Sequence, residues 1–448
     1  APVTRHGFGL WADRGFDVLL WIIIGVSIVL RFRHLSYMEF KYDEYHLLVM
    51  AYEHVFGPGI AQTALNSSVG LYNPPGFIYL LSVPVYFTTA PIDVTAFIAG
   101  LNVIAILGLY IWVRKTVSHR AGLLVTAVFA VAPWAIIFSR KIWNPDVFLF
   151  FHLGCYALLV GLTTKYRAWK VLAFGLWFGL TTQMHLGAWF LPAGVVLYLI
   201  IARVKIRWFH ALGSLLLFGL TYLPYLLFHI NDHFANLRAF LDGRGSGEGG
   251  VSVLTNLVWS FRVTTGLETE YLLGERPFAR FLEENGLNWA PTLFLIMAVA
   301  GAVAVLGTTI WLVVTRWRGR GQEWSSAQLA VLAMLCMFVG VHGACAVLGI
   351  RMYPHYHVIF YPLAAFALGG AVWGATRLGW VASWIARLAL TTALVLSLLY
   401  SWKFQDFVVA NPRGLYGGDY GVPYIVQEDM WLDRLSQELG RIYGEAEQ

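Results

Sequence analysis

Long apolar runs, one after another, constrain this chain more than any other feature. They fall at about 17–34, 94–113, 120–138, 146–164, 169–185, 187–202, 209–229, 290–314, 327–348, 355–376 and 380–401. A hydrocarbon layer of ~30 Å takes roughly 20 residues of helix to cross. Backbone polar groups inside that layer must bond within the segment, so a run of this kind becomes a helix. The expectation is an all-α polytopic membrane protein with about 11 transmembrane helices. Only 12% of the 448 residues are charged, about half the share in a soluble domain. The net charge of +6 is therefore read as a topology signal and not as a nucleic-acid footprint.

One further run, Pro74 to Pro91, is short for a span and carries an internal Pro84. Charge decides how to place it. With this run lying in the interface and the N-terminus inside, the basic clusters all fall on the inner face: Arg114, Lys115 and Arg120; Lys165, Arg167 and Lys170; Arg203, Lys205 and Arg207; Arg316, Arg318 and Arg320; Arg377. Asp13, Asp17 and Glu323 are then the only inner acids. Making the run a span would invert every later loop, against the positive-inside bias. The first apolar run leads into a charged loop without a small-residue cleavage site, so it reads as a span and not a leader. The layout is a transmembrane module over 1–401, with outer loops 31–93 and 231–288, and an extracytoplasmic tail over 402–448. "GRGSGEGG" (Gly243–Gly250) reads as a flexible turn.

Chemistry gathers at the outer ends of the spans. In "YDEYHLLVMAYEHVF", Tyr45, Leu48, Tyr52 and Phe56 recur at helical spacing, as in an amphipathic helix lying in the interface. Asp43 and Glu44 open that helix, flanked by Tyr42, Tyr45 and His46. Carboxylates there are favoured by the helix dipole and partly desolvated, which suits a general base. Plain solvation is the competing reading. "LYNPPGFIYLL" places Asn73 before a proline pair that starts a second short helix. In "SRKIWNPDVFLFF", Arg140 and Lys141 end one span and Asp146 starts the next. Outer cations oppose the topology bias, and a lipid phosphate would explain them; snorkelling or pairing with Asp146 would also do so. "GIRMYPHYHVIFYPL" repeats the pattern with Arg351, His355 and Tyr356, and His185 lies at the same boundary. Boundary ionisable groups of this kind are candidates for function. No cofactor motif is present. A divalent ion on Asp43, Glu44 and Asp146 is the one metal arrangement the acids allow. The three cysteines, Cys155, Cys336 and Cys345, sit in apolar runs and read as buried thiols.

These stretches, in this order, resemble the GT-C superfamily of membrane glycosyltransferases, in the protein O-mannosyltransferase-like branch (family 39), with the aminoarabinose transferases as more distant relatives. "YDEYH" is similar to the Asp-Glu-x-His signature of the first outer loop. "YNPPGFIYLL" is similar to a His-Pro-Pro-Leu stretch, with Asn73 in the histidine position. "SRKIWNPDVFLFF" and "RMYPHYHVIFYPL" resemble the later Arg…Asp and Arg/His-Tyr…Pro stretches. The resemblance implies a GT-C bundle with juxtamembrane helices, a polyprenyl-phosphate-linked sugar as donor, and an active site facing outward from a bacterial or archaeal plasma membrane. It implies an acceptor hydroxyl on a glycan, lipid or protein. By carry-over, Asp43 is the base and Glu44 orients the acceptor. Arg140 holds the lipid phosphate, with Lys141 or Arg351 assisting. Tyr42, Tyr45, His46, Asn73, Asp146, His185, His355 and Tyr356 would line the substrate pocket. A single base and in-line displacement imply inversion at the anomeric carbon. A transporter or lipid flippase is the competing class. It should carry broken, charged helices at the midplane, whereas the ionisable groups here gather at one boundary.

Overall fold

A computed structural model describes residues 7–67, 70–243, 253–319, 322–350, 352–375, 378–415 and 417–446. Among them the chain is helical, and the only β pairing is two isolated bridges, Glu39 to Pro423 and Asn66 to Tyr72. Helix α1 (Gly7–Phe32) is followed in the first loop by α2 (Tyr42–Phe56) and α3 (Gly76–Val85). Ten residues of helix span about 15 Å, so α3 is too short to cross a bilayer. Next come α4 (Pro91–Thr116), α5 (His119–Ala130), α6 (Pro133–Ile137), α7 (Phe148–Thr164), α8 (Ala168–Met184) and α9 (Leu191–Ile201). Helices α10 (Trp208–Thr221) and α11 (Leu223–Asn231) form a bent pair. The second loop holds α12 (Ala235–Gly243), α13 (Val253–Thr265), α14 (Glu270–Leu273) and α15 (Glu275–Glu284). The bundle ends with α16 (Ala290–Arg318), α17 (Ser326–Leu348), α18 (Tyr361–Ala375) and α19 (Trp380–Ala410); α20 (Glu428–Ala446) lies in the tail.

Every expected apolar run of the sequence coincides with a helix, yet only five are long and apolar enough among the described residues to cross a membrane unbroken. The α10–α11 pair, bent by 59°, makes a sixth if counted as one span. Proline accounts for the breaks. Pro133, Pro192 and Pro224 each stand in the first turn of a new helix, where their missing N–H and fixed φ end the preceding helix and begin the next. Small residues bring the backbones together. A Cβ at Gly175 of α8 would fall 2.1 Å from the Ser214 carbonyl oxygen of α10, and one at Gly340 of α17 would fall 2.3 Å from the Gly194 nitrogen of α9. The three cysteines are free and buried.

The tail does not stand apart. Residue 401 lies inside the continuous α19, and the chain beyond it folds back over the first loop. The Tyr424 N–H donates to the Met38 carbonyl (3.0 Å), while Asp419 and Tyr420 donate to the Tyr271 and Leu272 carbonyls (2.9 Å each). Phe40 packs edge-on against Tyr424 and Trp431, both at 5.3 Å. Arg441 of α20 pairs with Glu53 of α2 at 2.6 Å. The glycine-rich stretch beyond Gly243 lies outside the described residues.

Candidate active site

The first loop, the α6–α7 link, the α17–α18 link and the tail meet at one end of the bundle. The meeting point is a buried carboxylate that the sequence reading did not single out. Glu39 precedes α2, and its oxygens take two ammonium groups, Lys41 at 2.6 Å and Lys141 at 3.2 Å. Lys41 also reaches Asp419 of the tail. Lys141 is buried with its ammonium 3.8 Å from the Trp143 ring centroid. Burial opposes its charge, but Glu39, Asp146 and Glu44 outweigh that and raise its pKa above the ordinary lysine value.

The two carboxylates of the Asp-Glu pair face different surroundings. Helix α2 begins at Tyr42, which makes Glu44 its third residue, and the Lys41 N–H donates to Glu44 Oε2 at 2.8 Å. That capping bond turns Glu44 inward, where it is buried. Burial, then the charge of Glu39, pushes its carboxyl up to about 7 against the pull of Lys141 and Lys41. Asp43 is half-buried, and its carboxylate makes no hydrogen bond or ion pair among the described residues.

The other expected residues divide into two groups. Asp146 is buried on the turn Asn144–Val147, and neither carboxylate oxygen has a hydrogen-bond partner among the described residues. Its backbone carbonyl accepts from Asn102 at 2.8 Å. His355 lies against Trp143 (4.5 Å between ring centroids), His185 (5.8 Å) and Tyr356 (4.4 Å). The His185 Nδ1 accepts the Gly187 N–H at 2.9 Å. Leu186, Gly187 and Tyr356 continue into an apolar groove of about 300 Å³ that also includes Trp189, Ala344 and Ile350.

The second group is engaged elsewhere. Tyr42 is exposed and stacks on His46 at 3.8 Å, and Tyr45 packs on Trp431 of α20 at 5.4 Å. Asn73 bonds the Leu65 carbonyl (2.9 Å) and the Leu186 N–H (3.1 Å), joining the first loop to the turn after α8. Arg140 is buried and donates to the Arg33 and His34 carbonyls at 2.6 and 2.9 Å, just beyond the end of α1. Its Nε has no hydrogen-bond partner among the described residues. Arg351 lies outside the described residues. Among those residues, no group of three or more His, Cys, Asp or Glu side chains is placed to hold a metal ion; Asp43, Glu44 and Asp146 form no such group.

No protein-family model matches the chain, and no curated protein matches it in sequence. Solved structures do match. ArnT from Cupriavidus metallidurans bound to undecaprenyl phosphate aligns over 92% of this chain and 77% of its own length, with 14% identity and a TM-score of 0.50. The chain has the GT-C fold. Two further matches are the oligosaccharyltransferase AglB from Archaeoglobus fulgidus, in complex with an inhibitory peptide and a dolichol-phosphate, and the S. cerevisiae protein O-mannosyltransferase Pmt1–Pmt2 complex bound to the sugar donor. The first covers 87% of this chain and 56% of AglB, with 14% identity and a TM-score of 0.47. The second covers 57% and 37%, with 18% identity and a TM-score of 0.38. The GT-C fold agrees with the resemblance carried by the ordered motifs. At such identities the likeness concerns the fold; the chemistry has to be argued from residues.

Proposed function

We propose that this protein is an inverting glycosyltransferase that moves a sugar from a polyprenyl-phosphate carrier to an acceptor hydroxyl, at the extracytoplasmic end of the bundle. The observation that carries this reading is the Asp43 carboxylate, unpaired among the described residues, on the first turn of a helix whose next residue joins the Glu39–Lys41–Lys141 cluster. Asp43 takes the acceptor proton as the oxygen attacks the anomeric carbon, and the bond from that carbon to the phosphate oxygen breaks on the opposite face. The carrier leaves as a polyprenyl phosphate whose charge is met by Lys141, with Arg140 and Arg351. Glu39 keeps Lys41 as a partner when Lys141 turns to the phosphate. Glu44, holding its proton near neutrality, donates a hydrogen bond that orients the acceptor. The apolar groove beside Tyr356 and His185 takes the first isoprenoid units. A positioned base contributes about 10²–10⁴-fold in rate, and neutralising the leaving phosphate a comparable share.

The test is Asp43→Asn in proteoliposomes supplied with undecaprenyl-phosphate-linked sugars and a lipid extract as acceptor. Transfer should fall by about 10²–10⁴-fold while undecaprenyl phosphate binding stays within a few-fold. Unchanged transfer would remove Asp43 from the role of base.

A further inference from the structure

The second loop contributes nothing to the chemistry above, yet α13 buries four polar side chains, Asn256, Ser260, Thr264 and Thr265, of which Asn256 and Ser260 reach the segment before α18. Asn256 and Ser260 are buried and stand one helical turn apart, on the same face. The Asn256 amide bonds the backbone on both sides of position 351. Its Nδ2 donates to the Ile350 carbonyl at 3.3 Å, and its Oδ1 accepts the Met352 N–H at 3.2 Å. Ser260 Oγ lies 2.9 Å from His357 Nδ1 and 3.0 Å from His342 Nε2. His342 Nδ1 is 2.8 Å from the Phe338 carbonyl, which can only accept, so the His342 proton sits on Nδ1 and Nε2 is an acceptor. With one proton to give, Ser260 donates to one of three acceptors within reach: His342 Nε2, His357 Nδ1 or the Asn256 carbonyl at 3.1 Å. Both ends of the segment 350–357 are tied to α13 by buried side chains, where a lost partner leaves a buried polar group unpaired.

That segment has two working faces. Ile350 and Tyr356 form part of the apolar groove. His355 packs on Trp143, the ring that also covers the Lys141 ammonium.

We propose that Asn256 and Ser260 are positioning residues: α13 clamps the segment 350–357 so that the apolar groove and the Lys141 cluster meet at a fixed spacing, as a ligand with a phosphate head and an isoprenoid chain requires. The proposal rests on the function proposed above and deepens it, because the clamp itself touches neither head nor chain.

The experiment measures binding of undecaprenyl phosphate to the full chain in nanodiscs. Asn256→Leu removes both amide bonds at similar volume and should weaken binding by about 10- to 100-fold; Ser260→Ala should weaken it by roughly 10-fold. The decisive readout is a double-mutant cycle with His355→Ala. If Asn256 acts through the segment, the double variant binds no more weakly than the worse single variant. Losses that multiply, or unchanged affinity in both clamp variants, would overturn the proposal. Should Asn256→Leu fail to fold, Ser260→Ala carries the same cycle. A wild-type chain that does not bind undecaprenyl phosphate would sink the proposed function and the clamp with it, whereas wild-type binding with independent losses would sink the clamp alone.

Discussion

Replacing Glu44 by Gln tests the electrostatics of the carboxylate cluster through stability. A carboxyl moved from the ordinary 4.5 to about 7 holds its proton more tightly in the folded chain than in the unfolded one. Folding stability contributed by this group is therefore fully present below about pH 4.5, falls as the pH rises from there to about 7, and is lost above. The displacement corresponds to about 3 kcal/mol. Gln does not titrate, and its side-chain carbonyl can still accept the Lys41 N–H that caps α2. The Glu44→Gln variant should therefore be more stable than wild type by about 3 kcal/mol at pH 8, with the gap shrunk to about 1 kcal/mol at pH 5. Thermal unfolding of both proteins in one detergent at the two pH values measures it. An ion-paired, fully charged Glu44 would give the opposite slope, with the variant losing ground as pH rises. That outcome, or a gap independent of pH, would refute the assignment of burial and Glu39 as the dominant influences.

Two further outcomes follow from the same residues. Lys141→Met leaves the buried Glu39 with Lys41 as its remaining ion-pair partner among the described residues; with that charge still met it should cost about 1–3 kcal/mol, less than a fully orphaned buried charge, and a second change, Glu39→Gln, should recover part of the loss in thermal unfolding. Tyr42→Cys places a thiol at an exposed position in a chain whose three cysteines are buried. A membrane-impermeant maleimide should label it from outside intact cells, and labelling only from the cytoplasmic side would reverse the proposed orientation.

The helices were legible because apolar length alone dictates them, and the shared end of the motif loops follows from alternating spans. What sequence spacing does not contain is which of two adjacent carboxylates turns inward. That depends on α2 starting at Tyr42, which puts Glu44 where it caps Lys41 and leaves the Asp43 carboxylate without a partner among the described residues. Glu39 looked like any other acid of the first loop; its role requires Lys141, 102 residues away, to reach the same point. The aromatic neighbours Tyr42 and Tyr45 suggested a pocket, but the docking of α20 takes Tyr45 onto Trp431, and nothing in the tail's composition announces that docking. Asn73 and Arg140 illustrate a general ambiguity: a polar side chain at a membrane boundary serves a ligand or an unsatisfied backbone group equally well. Both bond backbone here, and Arg140 keeps one nitrogen without a partner among the described residues.

If the proposed function holds, a polyprenyl phosphate is handled at the end of the bundle where α2, the α6–α7 link and the tail meet. A cryo-EM structure of the protein with undecaprenyl phosphate in nanodiscs tests it most directly. Phosphate density should lie within about 4 Å of the Lys141 ammonium, the reach of an ion pair, with the isoprenoid chain leaving along the groove beside Tyr356. Phosphate density at the opposite end, among Arg114, Lys165 and Arg207, would contradict it.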